Sequence, residues 1–183
     1  MNYNKLLVIM TIIFSLVMLF TITSSLKNRK YNFLFEDITT YVSYVIFLIL
    51  QYILNFEVKF FIIFLVLITI IGNSLIGNYL NLYNSSKYYD RFLHALGSFS
   101  FSLFYYSILI KTTALTISPK FYISIFIAIL GISLGCIFEI YEFITDSTRK
   151  LKNQHGLVDT DFDLISDVIG SVMAGILSIF IIL

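Results

Sequence analysis

Six stretches of this chain stay apolar for about the length a helix needs to cross a bilayer: Leu6–Ser25, Ile38–Leu54, Val58–Ile76, Phe92–Ile110, Phe121–Phe143 and Leu164–Leu183. A hydrocarbon core about 30 Å thick is spanned by ~20 residues of α-helix. Inside it every backbone N–H and C=O must bond within the protein, which leaves helices or a closed barrel. The runs are rich in Ile, Val, Phe and Tyr, residues that favour strands. Length decides against strands: a membrane strand needs only ~10 residues of alternating polarity, and these runs are about twice that without alternation. The chain is therefore expected to be all-α, a polytopic integral membrane protein of about six transmembrane helices.

Composition supports this. The 183 residues are 58% hydrophobic and 13% charged, with mean hydropathy +0.91, against roughly 25% charged in soluble domains. A water-soluble fold and intrinsic disorder are both excluded as starting points. A net charge of +1 gives no field for nucleic acid; membrane lipid is the expected partner. One cysteine, Cys136, cannot build a disulfide framework or a cysteine zinc site. Six spans use roughly 120 positions, and the longest loop, Ile144–Asp163, cannot hold a soluble catalytic domain. Any chemistry sits in or beside the bilayer. The apolar core from Leu6 to Phe20 reaches or exceeds the upper end of a signal-peptide core, so the first span is expected to be retained.

Lys and Arg in short loops set orientation. The odd loops carry Lys27, Arg29, Lys30, Lys87, Arg91, Arg149, Lys150 and Lys152; the N-terminal tail and even loops carry Lys5, Lys59, Lys111 and Lys120. Odd loops are expected in the cytoplasm of a multi-pass cell-membrane protein. The chain reads as one membrane domain, 1–183: scaffold spans in 1–77, an interfacial segment at 78–91 whose Tyr79, Tyr83, Tyr88 and Tyr89 suit the headgroup region, and spans four to six in 92–183. Small residues recur every three or four positions in span five (Ser124, Ala128, Gly131, Gly135) and span six (Gly170, Ala174, Ser178, with Ser171 and Gly175), and Ala95, Ser98 and Ser102 mark span four. Such stripes let backbones approach in lipid. Spans four to six are expected to be the close-packed functional unit.

Eight of the eleven acids lie between Asp90 and Asp167, at the ends of those three spans. Asp90 and His94 are i,i+4 and share a face; Asp90 also suits an N-cap. Glu139, Glu142 and Asp146 lie within about 60° of one face. Stacked carboxylates at a membrane boundary repel one another, which a cation or a retained proton relieves. Asp146 reads as solvated, whereas Glu139 lies a turn inside the apolar run, where an acid is costly. Thr160 and Asp163 resemble a capping box, with Asp in place of Glu. Asp167 is two turns into the last span, near Gly170. His155 reads as a solvated loop residue. Asp90, His94, Glu139, Glu142, Asp163 and Asp167 are thus the candidate metal-ligating residues of one site, with Glu139, His94 and Asp167 as candidate catalytic groups. Oxygen donors suit Mg²⁺, Mn²⁺ or Ca²⁺, and the imidazole admits Zn²⁺ or Fe.

Soluble-enzyme motifs such as GxSxG, HExxH and the Walker loop are absent from the sequence. Three blocks are familiar instead: Tyr89-Asp90-Arg91-Phe92-Leu93-His94; Glu139-Ile140-Tyr141-Glu142-Phe143 with Asp146; and Gly156-Leu157-Val158-Asp159-Thr160 with Asp163-Leu164-Ile165 and Asp167. Their order and spacing resemble the YjdF-like family of uncharacterised prokaryotic membrane proteins. More distantly, they are similar to VanZ-like proteins, associated with glycopeptide-antibiotic resistance. The YjdF-like resemblance implies a membrane fold and no established activity. Three functions remain open: metal-dependent chemistry on a lipid or lipid-linked phosphate at the cytoplasmic leaflet, proton or cation transport, and a structural or partner-binding role with the acids as caps and ion pairs.

Overall fold

The computed structural model describes residues 3–113, 116–149 and 154–181, with only the backbone of Arg149. Lys150, Lys152 and Leu183, which figured in the loop charges and the last span, lie outside the described residues, as does the side chain of Arg149. Helices occur in the order α1 (Tyr3–Lys27), α2 (Tyr31–Ile53), α3 (Phe60–Ile71, continued as a π-helical segment Gly72–Tyr79), the short α4 (Leu82–Ser85), α5 (Lys87–Thr112), α6 (Lys120–Arg149) and α7 (Leu157–Ile181). No strand occurs among the described residues. Six of the helices are long and apolar enough to cross a membrane.

The helices outrun the apolar stretches. α5 starts at Lys87 and α7 at Leu157, five and seven residues ahead of the runs at Phe92 and Leu164, and α6 continues six beyond Phe143. Hydropathy marks where the bilayer begins; backbone hydrogen bonds carry each helix on until a turn stops it. The extension corrects two expectations. Asp90 lies in the first turn of α5 and is not its N-cap. Thr160 and Asp163 are inside α7, whose start is set by Gly156: its carbonyl accepts from the N–H groups of Asp159 (3.0 Å) and Thr160 (3.2 Å), and its φ of +116° is one that side-chain-bearing residues rarely adopt. The loop between α6 and α7 is correspondingly shorter than the Ile144–Asp163 stretch, and the acids become helical side chains, Asp90 and Asp159 in first turns and Asp163 more than a turn inside α7.

The chain divides into two compact units, Met1–Ser86 and Lys87–Leu183. The first packs by large side chains. Phe14, Met18, Ile62, Ile63 and Val58 are at most 1% exposed, and Phe14 meets Tyr44 edge-on with centroids 4.9 Å apart. Polar ties cross it: Thr11 with Tyr44 (2.7 Å), Tyr41 to Ser15 (3.0 Å) and Tyr3 to the Val58 carbonyl (2.9 Å). Tyr83 was expected to anchor in headgroups; its hydroxyl instead donates to Asn73 (2.5 Å) and its ring lies where a Cβ on Gly77 would stand. Tyr88 is 67% exposed, as an interfacial anchor requires.

The second unit packs by small residues, as the stripes imply. A Cβ on Gly170 would lie 2.8 Å from the Ala95 carbonyl carbon, one on Gly175 2.6 Å from the Ser124 oxygen, and one on Gly131 3.0 Å from the Ser98 oxygen. These approaches join α7 to α5, α7 to α6 and α6 to α5. Their buried serines do not compete for partners: Ser98, Ser102, Ser107, Ser171 and Ser178 each donate to a carbonyl one turn back on their own helix. Large apolar side chains such as Ile129, Ile137, Ile169 and Met173 remain exposed on the outer faces of α6 and α7, as lipid contact demands.

Candidate functional site

His94 is the hub of the second unit. It sits two turns into α5, 7% exposed, held where Ala95 and Ser98 let α7 approach. Its Nδ1 lies 3.2 Å from Asp167 Oδ2. Asp167 in turn fits because residue 135 is glycine: a Cβ there would lie 2.6 Å from the Asp167 Cβ. The glycine stripe of α6 and the acid of α7 are therefore one device. A carboxylate on Nδ1 fixes the tautomer with the Nε2 lone pair pointing the other way, the arrangement by which proteins orient metal-binding histidines.

What Nε2 meets is a set of acids. Asp90 Oδ1 lies 3.8 Å from it and Glu139 Oε1 3.6 Å. Ligand atoms of Asp90, His94 and Asp163 all fall within 4.8 Å of one another. These separations exceed hydrogen-bond length, and His94 Nε2, Glu139 Oε1 and Asp163 Oδ1 are all buried without a hydrogen-bond partner. Three helices thus each contribute an unsatisfied buried atom, a costly condition wherever it occurs. Among the described residues, no Lys or Arg lies within 4 Å of the Glu139, Asp163 or Asp167 carboxylates. Ligand atoms around a tetrahedral ion with bonds of about 2.1 Å are about 3.4 Å apart. The observed 3.6 and 3.8 Å are within a small contraction of that.

The structure gathers the six sequence candidates unequally. Asp90, His94 and Asp163 bring ligand atoms within 4.8 Å of one another, and Glu139 Oε1 lies 3.6 Å from His94 Nε2 beside them. Asp167 is on the far side of the imidazole, where it positions His94. Glu142, half-buried one turn beyond Glu139, is within electrostatic range of Glu139, His94, Asp90 and Asp163. Asp146, expected to be solvated, is half-buried and accepts from the Gln154 backbone N–H at 2.9 Å. His155 is half-exposed, as expected, and lies 3.4 Å from Asp159.

One contributor, Gln154, was missed by sequence reading, and Arg91 was read only as an ion-pair partner for the acids. The Gln154 side-chain amide donates to Glu139 Oε2 (3.0 Å) and to the Glu139 carbonyl (3.2 Å), so it holds one carboxylate oxygen and leaves Oε1 to the site. Nothing in a Lys- and Gln-containing loop marks that role. Arg91 points beside the acids: its guanidinium stacks on Phe162 at 4.0 Å, approaches Asp159 at 3.9 Å, and has a buried Nε without a partner. Its position next to Asp90 was the available signal. Chemically the cluster offers one imidazole nitrogen and up to four carboxylates, with one guanidinium at its edge.

The comparisons agree with the membrane architecture. Residues 6–182 match a family model described as "Predicted membrane protein (DUF2238)". An uncharacterised protein of Thermotoga maritima is 38% identical over 100 residues, 54% of this chain and 51% of that relative, so the chain spans about half the length of the curated relative it matches. No solved structure matches. With nearly its whole length matched, and with six helices long and apolar enough to cross a membrane, the chain belongs to the DUF2238 family of predicted membrane proteins.

Proposed function

We propose that the second unit binds a single divalent metal ion through His94 Nε2, Asp90, Asp163 and Glu139, and uses it on a lipid or lipid-linked phosphate. The observations that carry this are the ligand atoms of Asp90, His94 and Asp163 lying within 4.8 Å of one another and, with them, the buried unpartnered atoms of His94, Asp163 and Glu139. A cation there satisfies all three at once and offsets the repulsion among their carboxylates. One imidazole among oxygens favours Mn²⁺, Fe²⁺ or Zn²⁺ over Mg²⁺ or Ca²⁺. Such an ion polarises a phosphoryl oxygen or activates water. Arg91, planar and with N–H groups to spare, is placed to hold a phosphate at the edge of the site. Glu142 is the remaining carboxylate for a proton-transfer role.

The reading extends to side and setting. Odd loops lie in the cytoplasm by the Lys/Arg bias, so the site opens on the cytoplasmic leaflet. Membership in a family of predicted membrane proteins agrees with the YjdF-like resemblance of the three motif blocks; the VanZ-like similarity adds nothing to it. Transport draws less support, because the buried serines above the site are committed to carbonyls of their own helices. A structural role fits the Arg91–Asp159 pair but not the acids that lack a cation.

The test is metal content. Protein purified without added metal should carry about one equivalent of a first-row metal by mass spectrometry, and should release phosphate or headgroup from lipid phosphates in vesicles only when loaded. Metal-free protein, with no binding on titration of Mn²⁺ or Zn²⁺, would sink the proposal. Orientation is read separately. In a Cys136→Ser background, a cysteine at His155 should resist an impermeant thiol reagent in intact cells.

A further inference from the structure

The first unit holds a polar cleft of its own. About 240 Å³ of space opens where α1 ends, α2 begins and the π-helical continuation of α3 passes. By liquid volume that is room for about eight waters, the size of one small headgroup. Its floor is Asp37, nearly two turns inside α2 and 3% exposed. The hydroxyls of Thr21 on α1 and Ser74 on the π-helical segment reach its carboxyl. An ionised carboxyl has about four acceptor positions, so two hydroxyls leave capacity facing the cleft. At the rim is Lys30, exposed, its ammonium 5.5 Å from the Phe33 ring centroid. Asn28 and Asn78 line the space between.

Packing does not explain this arrangement. The unit's largest buried side chains are apolar or aromatic, and burying a carboxyl is costly. The backbone also departs from regularity here. Bonds of the type Leu80 N–H to Leu75 carbonyl (2.9 Å) put residues five apart on one face. Ser74 and Tyr79 then both line the cleft, whereas α-helical geometry would separate them by about 140°. Such π-helical turns concentrate at functional sites.

We propose that this cleft binds a primary ammonium joined through a short spacer to an anionic group: the aminoalkyl phosphate chemistry common to an ethanolamine phospholipid headgroup and free phosphoethanolamine. Asp37 takes the ammonium, whose three N–H groups fill its open acceptor positions. Lys30 takes the phosphate. Lys30, at the N-cap of α2, stands seven residues ahead of Asp37, about 10 Å of backbone rise if helical, so a short zwitterion bridges the rim and the buried carboxyl. A choline headgroup carries no N–H for Asp37, and a glycerol headgroup carries no cation.

Native mass spectrometry of the full chain, offered phosphatidylethanolamine, phosphatidylcholine and phosphatidylglycerol at equal concentration, tests this. The ethanolamine lipid should be retained about tenfold over the others, as a charge-assisted hydrogen-bond set implies. Asp37→Asn should bring the three to parity, and Lys30→Gln, on an exposed side chain that folding does not need, should cut the preference about threefold. In a second arm, O-phosphoethanolamine is added alone in detergent. Binding that requires Asp37 and exceeds the lipid's supports the cleft with the soluble molecule as its ligand; ethanolamine-lipid preference without it supports the cleft with the lipid. Equal retention of all three lipids together with no phosphoethanolamine binding overturns the proposal, as does a preference that survives both substitutions.

Discussion

Each unit contributes three membrane-length helices and buries acid side chains, yet the two accommodate them differently. In the first, large side chains hold the helices apart: Phe14, Met18, Ile62 and Ile63 fill the interior, and Asp37 is met by hydroxyls. In the second, Gly131, Gly135, Gly170 and Gly175 bring backbones and short side chains within reach of one another. Asp90, His94 and Asp163 converge from α5 and α7 as a result, with Glu139 of α6 3.6 Å from His94. In lipid, where apolar burial gives helices little reason to associate, the size of the residue at the contact decides how close they come. Close approach allows short acidic side chains on different helices to share one point. Bulky packing confines an acid to the neighbours nearest its own helix.

Exchanging the packing modes should produce the largest effect. Gly170→Leu places a side chain against the Ala95 backbone carbonyl, which no rotamer relieves. We expect a loss of about 3 kcal/mol of stability, at the upper end for overpacking, read as a lower melting temperature in detergent together with loss of metal. The same Leu on a lipid-facing position such as Met173 should be neutral. An unchanged melting temperature for Gly170→Leu would break the comparison.

Next in size is Glu139→Gln, which keeps shape and removes charge. Metal affinity should fall about 100-fold, roughly 2.7 kcal/mol, by calorimetric titration. Asp146→Asn, at a carboxylate that accepts from the Gln154 backbone N–H, should change it less than threefold, roughly 0.7 kcal/mol, and Asp37→Asn not at all. Equal metal affinity in Glu139→Gln and Asp146→Asn would favour a structural role for the acids.

In the first unit the sensitive direction is reversed. Phe14→Ala leaves a cavity lined by Tyr41 and Tyr44 and should cost about 2 kcal/mol, below the roughly 3–5 kcal/mol of such truncations in soluble cores because lipid offers less transfer energy than water, measured by chemical denaturation in micelles. Metal content should be untouched. Smaller again is the effect of Asp167→Asn, which can still hydrogen-bond His94 but no longer carries charge. A tenfold loss of metal affinity, about 1.4 kcal/mol, is expected for a group that orients a ligand, and Asp167→Glu should fail to rescue it because Gly135 leaves no room for the longer chain.

The amino-acid sequence determined the number of spans, their helical state and the face on which α5, α6 and α7 meet. Each of those depends on residues a few positions apart on one chain: about 20 apolar residues for a span, a small residue every third or fourth position for a contact. It also singled out Asp90, His94, Glu139, Glu142, Asp163 and Asp167, because acids are rare and costly at membrane depth. Helix boundaries were less legible. Hydropathy reports the bilayer edge, while Gly156 and the backbone decide where α7 begins, and so Asp163 became a buried side chain in place of a cap. Only the tertiary structure could set Asp90, Glu139 and Asp163 on the Nε2 side of His94 and Asp167 behind its Nδ1, with Glu142 further off. It alone could draw in Gln154 and Arg91, and show that Asp37 is buried against α1 and the π-helical segment of α3. Those facts depend on which atom of a side chain points where across helices far apart in sequence, and spacing along one helix carries no information about that.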